Sequence, residues 1–304
     1  MVEDFEIEEG DIVEIELTAF GKVMAPENSL IALIDADTLA WTSALAAQQE
    51  HSVMPKEFYS EIEWDAIMTN ATYDEESMTY KLIDLELALQ YADEKLKRIY
   101  ELTGCRTCEL HFSGGRENFR YLLFPNYKAN RKGMAIPDGL GDLKIALCQK
   151  YLGFIHTKWE ADDFVVYRRK YYPNDYLLCA IDKDVLNSIA GKHFNYYESG
   201  VFNKDMHFIE TSEGTAKVWP YLQCIMGDSS DGIEGVKGLG PKKAALFVNE
   251  EMDEEELWEG VLTAYRSKNM DESMALLNMR LVNMHQLFSV DGEIEIALWG
   301  PKDV

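Results

Sequence analysis

Basic residues are scarce in this sequence. It holds 29 Lys and Arg against 54 Asp and Glu, a formal charge of −25. On bulk charge alone, a protein that coats a polyanion is excluded. Long apolar runs are missing too. No stretch of about 18 apolar residues occurs, so no membrane-spanning helix is expected. Cysteine is limited to Cys105, Cys108, Cys148, Cys179 and Cys224. An odd, mostly scattered set excludes a disulfide framework and suits a reducing, cytoplasmic setting. Met1 to Glu16 carry eight acids and no base, which does not read as a signal peptide. Internal repeats and low-complexity linkers are absent. What remains is an ordinary globular balance, 47% hydrophobic and 27% charged over 304 residues. That is room for one large α/β domain, or one with a small module.

The acids are unevenly placed. Eight lie in 1–16, seven in 57–76 and seven in 250–259, and none of these windows holds a Lys or Arg. Between Arg116 and Lys132 the balance reverses to five bases and one acid. A local basic stripe can hold phosphates whatever the global charge. The acidic windows read as solvated faces.

Hydrophobic periodicity predicts an alternating α/β chain. Residues 1–29 alternate weakly and suggest a short hairpin or edge strand in an acidic extension. The apolar run up to Ile34, closed by Asp35, predicts a buried parallel strand. Residues 77–103 predict a long helix, with Ser77 as N-cap and Gly104 past its end. Cys108–Phe112 predicts a second strand and Tyr176–Ile181 a third, again ending at an Asp. Helices are expected over 138–152, from Asp162 to Tyr172 and over 219–227. A marginal hairpin is expected around Tyr196-Tyr197 and Phe208-Ile209. The fold class is therefore α/β, a mainly parallel central sheet with helices on both faces. The domain plan is an extension (1–29), an α/β domain (30–226) and a smaller helical region (227–304).

Carboxylates recur at the ends of these elements. In open α/β sheets ligands bind beyond the carboxyl ends of the strands, where Asp35 and Asp182 stand. Asp182 and Asp184 are two apart, and leave one face if the strand continues. Glu160 and Asp163 share a face at a helix start beside Asp162, and Asp228 and Asp231 mark another boundary. Any one Asp in so acidic a chain reads first as a cap or a solvated group. Gathered together, such acids repel unless cations sit among them. Hard divalent ions with oxygen ligands, Mg²⁺ or Mn²⁺, are the natural guests. Two of them can activate water against a phosphodiester. The stripe Phe119-Arg120 and Tyr127-Lys128-Ala129-Asn130-Arg131-Lys132 interleaves aromatics with bases, as phosphate contacts and base stacking require. As an isolated feature it also reads as an exposed basic loop. Gly235-Val236-Lys237-Gly238-Leu239-Gly240-Pro241-Lys242-Lys243 reads as a helix-hairpin-helix turn. Its glycines let the backbone approach a phosphate, and Pro241 suits a first helical turn. The plain alternative is a generic glycine turn. Neither a Walker loop nor a dinucleotide fingerprint fits the spacing.

In this order the motifs resemble the 5′-nuclease superfamily: flap endonucleases, polymerase 5′–3′ exonuclease domains and, most of all, the short phage 5′–3′ exonucleases. The matching residues are Ile34-Asp35, Phe119-Arg120, Tyr127 to Arg131, Glu160-Ala161-Asp162-Asp163, Asp182-Lys183-Asp184 and Gly227-Asp228-Ser229-Ser230-Asp231-Gly232, then the hairpin, over roughly residues 30–250. The resemblance implies a metal-dependent 5′–3′ exonuclease and flap endonuclease acting on duplex DNA with a 5′ end or flap, or on RNA–DNA hybrids. It implies two Mg²⁺ or Mn²⁺ ions held by Asp35, Glu160, Asp162, Asp163, Asp182, Asp184, Asp228 and Asp231. It implies Lys128 at the scissile phosphate and Arg131, Arg120 and Lys132 as phosphate clamps. Gly235, Lys237, Gly238, Gly240, Lys242 and Lys243 would grip the duplex, with a K⁺ at the hairpin. The implied location is the cytoplasm, that of the host for a phage protein. Removal of RNA primers by the same site, and a non-catalytic nucleic-acid binder, are the alternatives.

Two departures stand out. The family's Asp seven residues before the Arg of Phe-Arg is here Ser113, and Asp37 is a candidate replacement ligand, or else a helix cap. Only 28 residues separate Arg131 from Glu160, too few for a large closed arch. Cys105-x-x-Cys108 lacks a second pair for structural zinc, and His111 and His156 read as packed or exposed.

Overall fold

The computed structural model describes residues 30–301 except 71, 132–134 and 201–203. The hairpin expected in 1–29 lies outside the described residues, as does Lys132.

In chain order the elements are β1 (Ile31–Asp35), α1 (Asp37–Ala46), β2 (Gln48–Ser52), α2 (Glu61–Thr69), β3 (Thr79–Ile83), α3 (Leu85–Thr103), β4 (Cys108–Ser113), α4 (Phe119–Leu123), α5 (Leu140–Lys150), β5 (Leu152–His156), α6 (Ala161–Tyr171), β6 (Tyr176–Ala180) and α7 (Lys183–Asn187). Then follow β7 (Gly191–Asn195), β8 (His207–Thr211), α8 (Glu213–Met226), β9 (Gly227–Asp228), β10 (Ile233–Glu234), α9 (Pro241–Ala244), α10 (Glu254–Arg266), α11 (Glu272–Val282), β11 (Leu287–Val290) and β12 (Glu293–Ile296).

The main sheet has the order β5-β4-β1-β6-β7-β8. All neighbours are parallel except the last pair, β7 and β8. Every residue of β1 is buried, as expected of a parallel strand covered on both faces. Its side chains alternate between two cores. Ala32 and Ile34 face the core built from α1, α3 and α5, with Ala44, Ala92, Leu96 and Leu147. Ile31 and Leu33 face the other, with Val165, Val166 and Leu186 of α6 and α7. The strand order reverses between β1 and β6, so the crevice of this sheet opens where Asp35 and Asp182 stand.

A further core joins α8, α10 and α11, including Val218, Ile225, Leu257, Val261, Tyr265 and Met279, and takes in Tyr127 from the basic stripe. Because α8 belongs to this core, the composition change at residue 227 falls inside a packed unit rather than between two.

Some expectations are corrected. Residues 79–83 are a strand, paired antiparallel with β2. The helix begins at Leu85 with Asp84 as N-cap, its side chain accepting from Leu87 N–H at 3.0 Å. Gly104 ends it in the left-handed region, φ 78°. Leu152 does not end a helix but begins β5. The acidic windows contain helix starts: Ser60 with Glu63, and Asp253 with Glu256, form capping boxes for α2 and α10. No described helix is long and apolar enough to cross a membrane.

Candidate active site

Acids from four elements meet at the carboxyl end of the sheet. Asp35 closes β1. Glu160 is the N-cap of α6, and Asp162 lies in its first turn. Asp182 is not on an extended strand. It caps α7, its Oδ1 accepting the N–H of Asp184 at 2.7 Å. Asp228 lies in β9, and its Oδ1 accepts from Ser230 N–H at 2.8 Å. Asp231 sits in the turn before β10. Glu160, Asp162, Asp182, Asp184, Asp228 and Asp231 line one cavity of about 30 Å³, with Arg120, Tyr127 and Gln223 in its wall. That is space for about two water-sized spheres.

The electrostatics of this cavity are those of crowded anions. Burial, then Asp37 and Asp182, push the Asp35 carboxyl up to about 8. Burial, then Asp182, raise Asp184 to about 7. Burial, then Asp35 and Glu160, hold Asp162 well above the usual carboxylate range. Burial also raises Asp231, though Lys128 opposes it. Glu160 goes the other way: burial would raise it, but Lys128 and Arg120 outweigh that and hold it low.

Two cations answer the acids. Lys128 Nζ donates to Glu160 Oε1 at 2.6 Å and lies 3.6 Å from Asp231 Oδ2. Its backbone is in the left-handed region, φ 55°, and its N–H donates to Asp231 O at 2.8 Å. A strained, non-glycine backbone is kept here because the turn carrying Asp231 holds it. Arg131, half exposed, donates from Nη2 to Asp231 Oδ1 at 2.5 Å. Tyr127, read as a stacking platform, is 2% exposed and cannot stack on a base. Its hydroxyl instead lies 2.7 Å from both Glu160 Oε2 and Asp231 Oδ2, tying the α6 acid to the β9–β10 turn.

Arg120 and Asp163 are reassigned. Arg120 is 2% exposed and Asp163 fully buried. They form a bidentate pair, Nη1 to Oδ2 at 2.5 Å and Nη2 to Oδ1 at 2.7 Å. Arg120 Nε donates to Leu281 O at 2.7 Å. Asp163 also accepts the Glu160 N–H at 3.1 Å. Both Asp163 oxygens are thus engaged by protein donors, and Arg120 is buried against Asp163 rather than presented to solvent as a phosphate clamp. The pair fixes α6 against α4 and α11.

Asp37 is also reassigned. Its Oδ2 accepts the Ser113 N–H at 3.0 Å and its Oδ1 accepts from Lys144 Nζ at 2.5 Å. Lys144 donates also to Ser113 O at 3.0 Å. Ser113 Oγ accepts the Ala161 N–H at 3.0 Å, at the start of α6. Ser113 is thus a helix-start acceptor, and Asp37 is held by an ammonium outside the acid cavity. It is not the N-cap, which is Ala36. Lys144 and the Tyr127 hydroxyl escaped the sequence reading, because their partners are 31 or more residues away.

In the hairpin, Gly238 has φ 80° and Gly240 is the N-cap of α9, with Pro241 at its first turn. Lys237, Gly238, Gly240, Lys242 and Lys243 are exposed. Gly235 has a different reason to be glycine. A Cβ there would lie 2.1 Å from Met226 O, so it allows two backbones to meet and is reassigned from duplex contact.

The donor set suits hard cations. It is all oxygen, and Asp35 Oδ1, Asp184 Oδ1 and Gln223 Oε1 are buried without a hydrogen-bond partner. Buried polar atoms left without a partner are costly, and a cation satisfies an orphaned carboxylate oxygen. No three of the described His, Cys, Asp and Glu side chains already converge as an ion cage.

Among known proteins, the flap endonuclease Xni of Shewanella frigidimarina is 27% identical over 151 residues, 47% of this chain and 58% of that one. The 5′–3′ exonuclease of Bacillus subtilis is 28% identical over 148 residues, 45% of this chain and 49% of that one. The chain thus spans about half the length of these curated relatives. No family model matches. The crystal structure of T5 D15 protein co-crystallized with metal ions aligns with a TM-score of 0.48 at 18% identity, over 64% of this chain and 82% of that one.

Proposed function

We propose that this chain is a nuclease of the 5′-nuclease superfamily, a divalent-metal-dependent phosphodiester hydrolase cutting DNA at 5′ ends and flaps of duplexes. One observation carries the reading. Six acids, two each from the starts of α6 and α7 and from the β9–β10 turn, share a cavity of about 30 Å³ with orphaned carboxylate oxygen, and Lys128 and Arg131 stand at its edge. Asp35, Asp162, Asp182, Asp184, Asp228 and Asp231 are the residues to hold Mg²⁺ or Mn²⁺, with Glu160 shared with Lys128. Ions so held would lower the pKa of a bound water and polarise a phosphoryl oxygen.

The chain's own residues do the positioning. Lys128 and Arg131 supply positive charge to the acids. Once the carboxylates are otherwise satisfied, both can turn to a phosphate, where a charge-assisted bond that tightens in the transition state accelerates the reaction. Tyr127 keeps Glu160 and Asp231 in register through its bridging hydroxyl. The exposed hairpin lysines 242 and 243 are placed to hold duplex backbone without reading sequence. RNA–DNA hybrids are a second substrate to be tested at this site, and a K⁺ at the hairpin belongs to the same proposal.

The test is a labelled 5′ flap, a blunt duplex and an RNA–DNA hybrid, each with and without Mg²⁺, against wild type and Asp182→Ala. Cleavage of the flap only with Mg²⁺, lost in the variant while duplex binding survives, is expected. Metal-independent cleavage, or full turnover by the variant at saturating Mg²⁺, would remove the proposal.

A further inference from the structure

The ends of α6 and α8 that point away from the acids frame another hollow, about 640 Å³. Arg169 and Lys170 reach it from the last turn of α6, and Lys217 from α8. Arg169 stands nine residues along from Glu160, the N-cap of α6, about 14 Å from the acid cavity. Lys217 stands equally far from Met226, at the end of α8 that leads to Asp228. A neighbouring hollow of about 670 Å³ shares Tyr221, Glu254, His285 and Trp299 with the first, so the two form one cleft.

One half of the cleft is cationic. Arg169 is partly buried, which lowers its guanidinium pKa, and no carboxylate among the described residues offsets that cost. Its Nη1 donates to Pro173 O at 2.5 Å, while its Nε is buried without a partner. In a chain with 54 acids and 29 bases, a cation left so is satisfied by an anion from outside. Lys170 next to it is exposed. Lys217 spends two hydrogens on Glu250 O and Met252 O, at 2.7 and 2.8 Å, and keeps a third. Between the halves, His285 gives its Nε2–H to Ser188 O at 2.6 Å, which leaves Nδ1 a buried acceptor without a partner.

The other half is aromatic. Trp299 is fixed through its backbone: its N–H donates to Gln286 Oε1 at 2.8 Å and its carbonyl accepts from Arg280 Nε at 2.9 Å. Its ring meets Tyr221 edge-on, centroids 6.3 Å apart, and Trp258 at 4.7 Å. Trp258 and Trp299 are partly exposed, so ring surface on a fixed frame lines the hollow. Asp253 and Glu255 close this end with negative charge.

We infer that this cleft binds a nucleoside 5′-monophosphate, with its phosphate at Arg169, Lys170 and Lys217 and its base on Trp299. Cations at one end and fixed rings at the other match a ligand with one anionic group and one flat ring. The acids beyond the rings repel a second phosphate, so a single nucleotide is accepted where a continuing strand is not. Hydroxyl and amino donors of the ligand find acceptors in the same acids. Mononucleotides are the class of product a 5′–3′ exonuclease releases, but binding one here needs no cleavage, and the inference stands apart from the nuclease reading.

The test is calorimetric titration of the full chain with dAMP, deoxyadenosine and inorganic phosphate in turn, without divalent ions, so that no metal among the acids attracts phosphate. Wild type should bind dAMP on the order of tenfold more tightly than either part. Arg169→Gln and Trp299→Leu should each lower dAMP affinity about tenfold. Lys170→Glu, at an exposed position, should weaken dAMP but leave deoxyadenosine binding as it is, and serves should the other variants not fold. A saturating 5′-flap duplex should leave dAMP binding unchanged. No dAMP binding at millimolar concentration, phosphate bound as tightly as dAMP, or variants that bind dAMP as wild type does would overturn the inference. So would displacement by the duplex, which would put the nucleotide at the acid centre. Failure to cut a flap with Mg²⁺ bears on the nuclease reading alone.

Discussion

Asp162 and Asp163 show how two adjacent acids divide their work. Asp162 and Asp163 are neighbours on α6, and one step around a helix turns the side chain by about 100°. Asp162 faces the cavity, and Asp163 turns inward to a buried guanidinium. Removing one member of such a pair strands the other as an unpaired buried charge. Arg120→Ala or Asp163→Ala should therefore cost roughly 3–5 kcal/mol in urea unfolding. Replacing both together, Arg120→Met with Asp163→Leu, should cost clearly less than the sum. Additive losses in that cycle would show that the two do not act as a pair.

Neighbouring strands bring two histidines together. His111 of β4 and His156 of β5 have stacked rings, with His111 Nδ1 3.0 Å from His156 Nε2. Burial, then His111, push His156 down to about 3, and burial lowers His111 as well. A base whose folded pKa is depressed stays neutral in the fold while the unfolded chain takes up a proton. Stability is then full above about 6.5 and falls as pH drops toward 3, by about 1.4 kcal/mol per pH unit for one proton. The raised acids Asp35 and Asp184 act oppositely in part of that window. The measurement is therefore a difference: urea stability of wild type minus His156→Phe, from pH 7.5 to 5. The difference should shrink as pH falls, and a constant difference would mean His156 does not titrate there. The hairpin before α9 is a second element with its own readout. Lys242→Glu with Lys243→Glu should weaken duplex binding and reduce the slope of log K against log salt by about two. An unchanged slope would mean that 235–244 stays clear of the backbone.

Across the whole molecule the acid site joins two cores. Asp35, Asp162, Asp182 and Asp184 stand on the α/β sheet and its helices, whereas Asp228 and Asp231 follow α8, in the other core. A cation bound by both sets favours the folded state by mass action. Millimolar Mg²⁺ should raise the thermal midpoint by a few degrees, and Asp184→Asn should reduce that rise. A midpoint indifferent to Mg²⁺ in the wild type would argue that the acids do not hold the ion together.

The central strands, α6 and the acids that end or begin these elements were legible without a structure. Apolar runs, caps and glycines are local, and local patterns survive in one dimension. The 79–83 strand was misread because its partner, β2, lacks an apolar pattern of its own. Which acids are free was not legible either. Asp163 is spent on an arginine 43 residues away, Asp37 on Lys144 107 residues away. Tyr127 is a bridge rather than a platform because α6 and the β9–β10 turn converge on it. The sequence by itself determined where carboxylates meet the sheet's edge. Only tertiary structure decided which of them face a common cavity, because a charge's role depends on its nearest neighbour in space, and here that neighbour is seldom near in the chain.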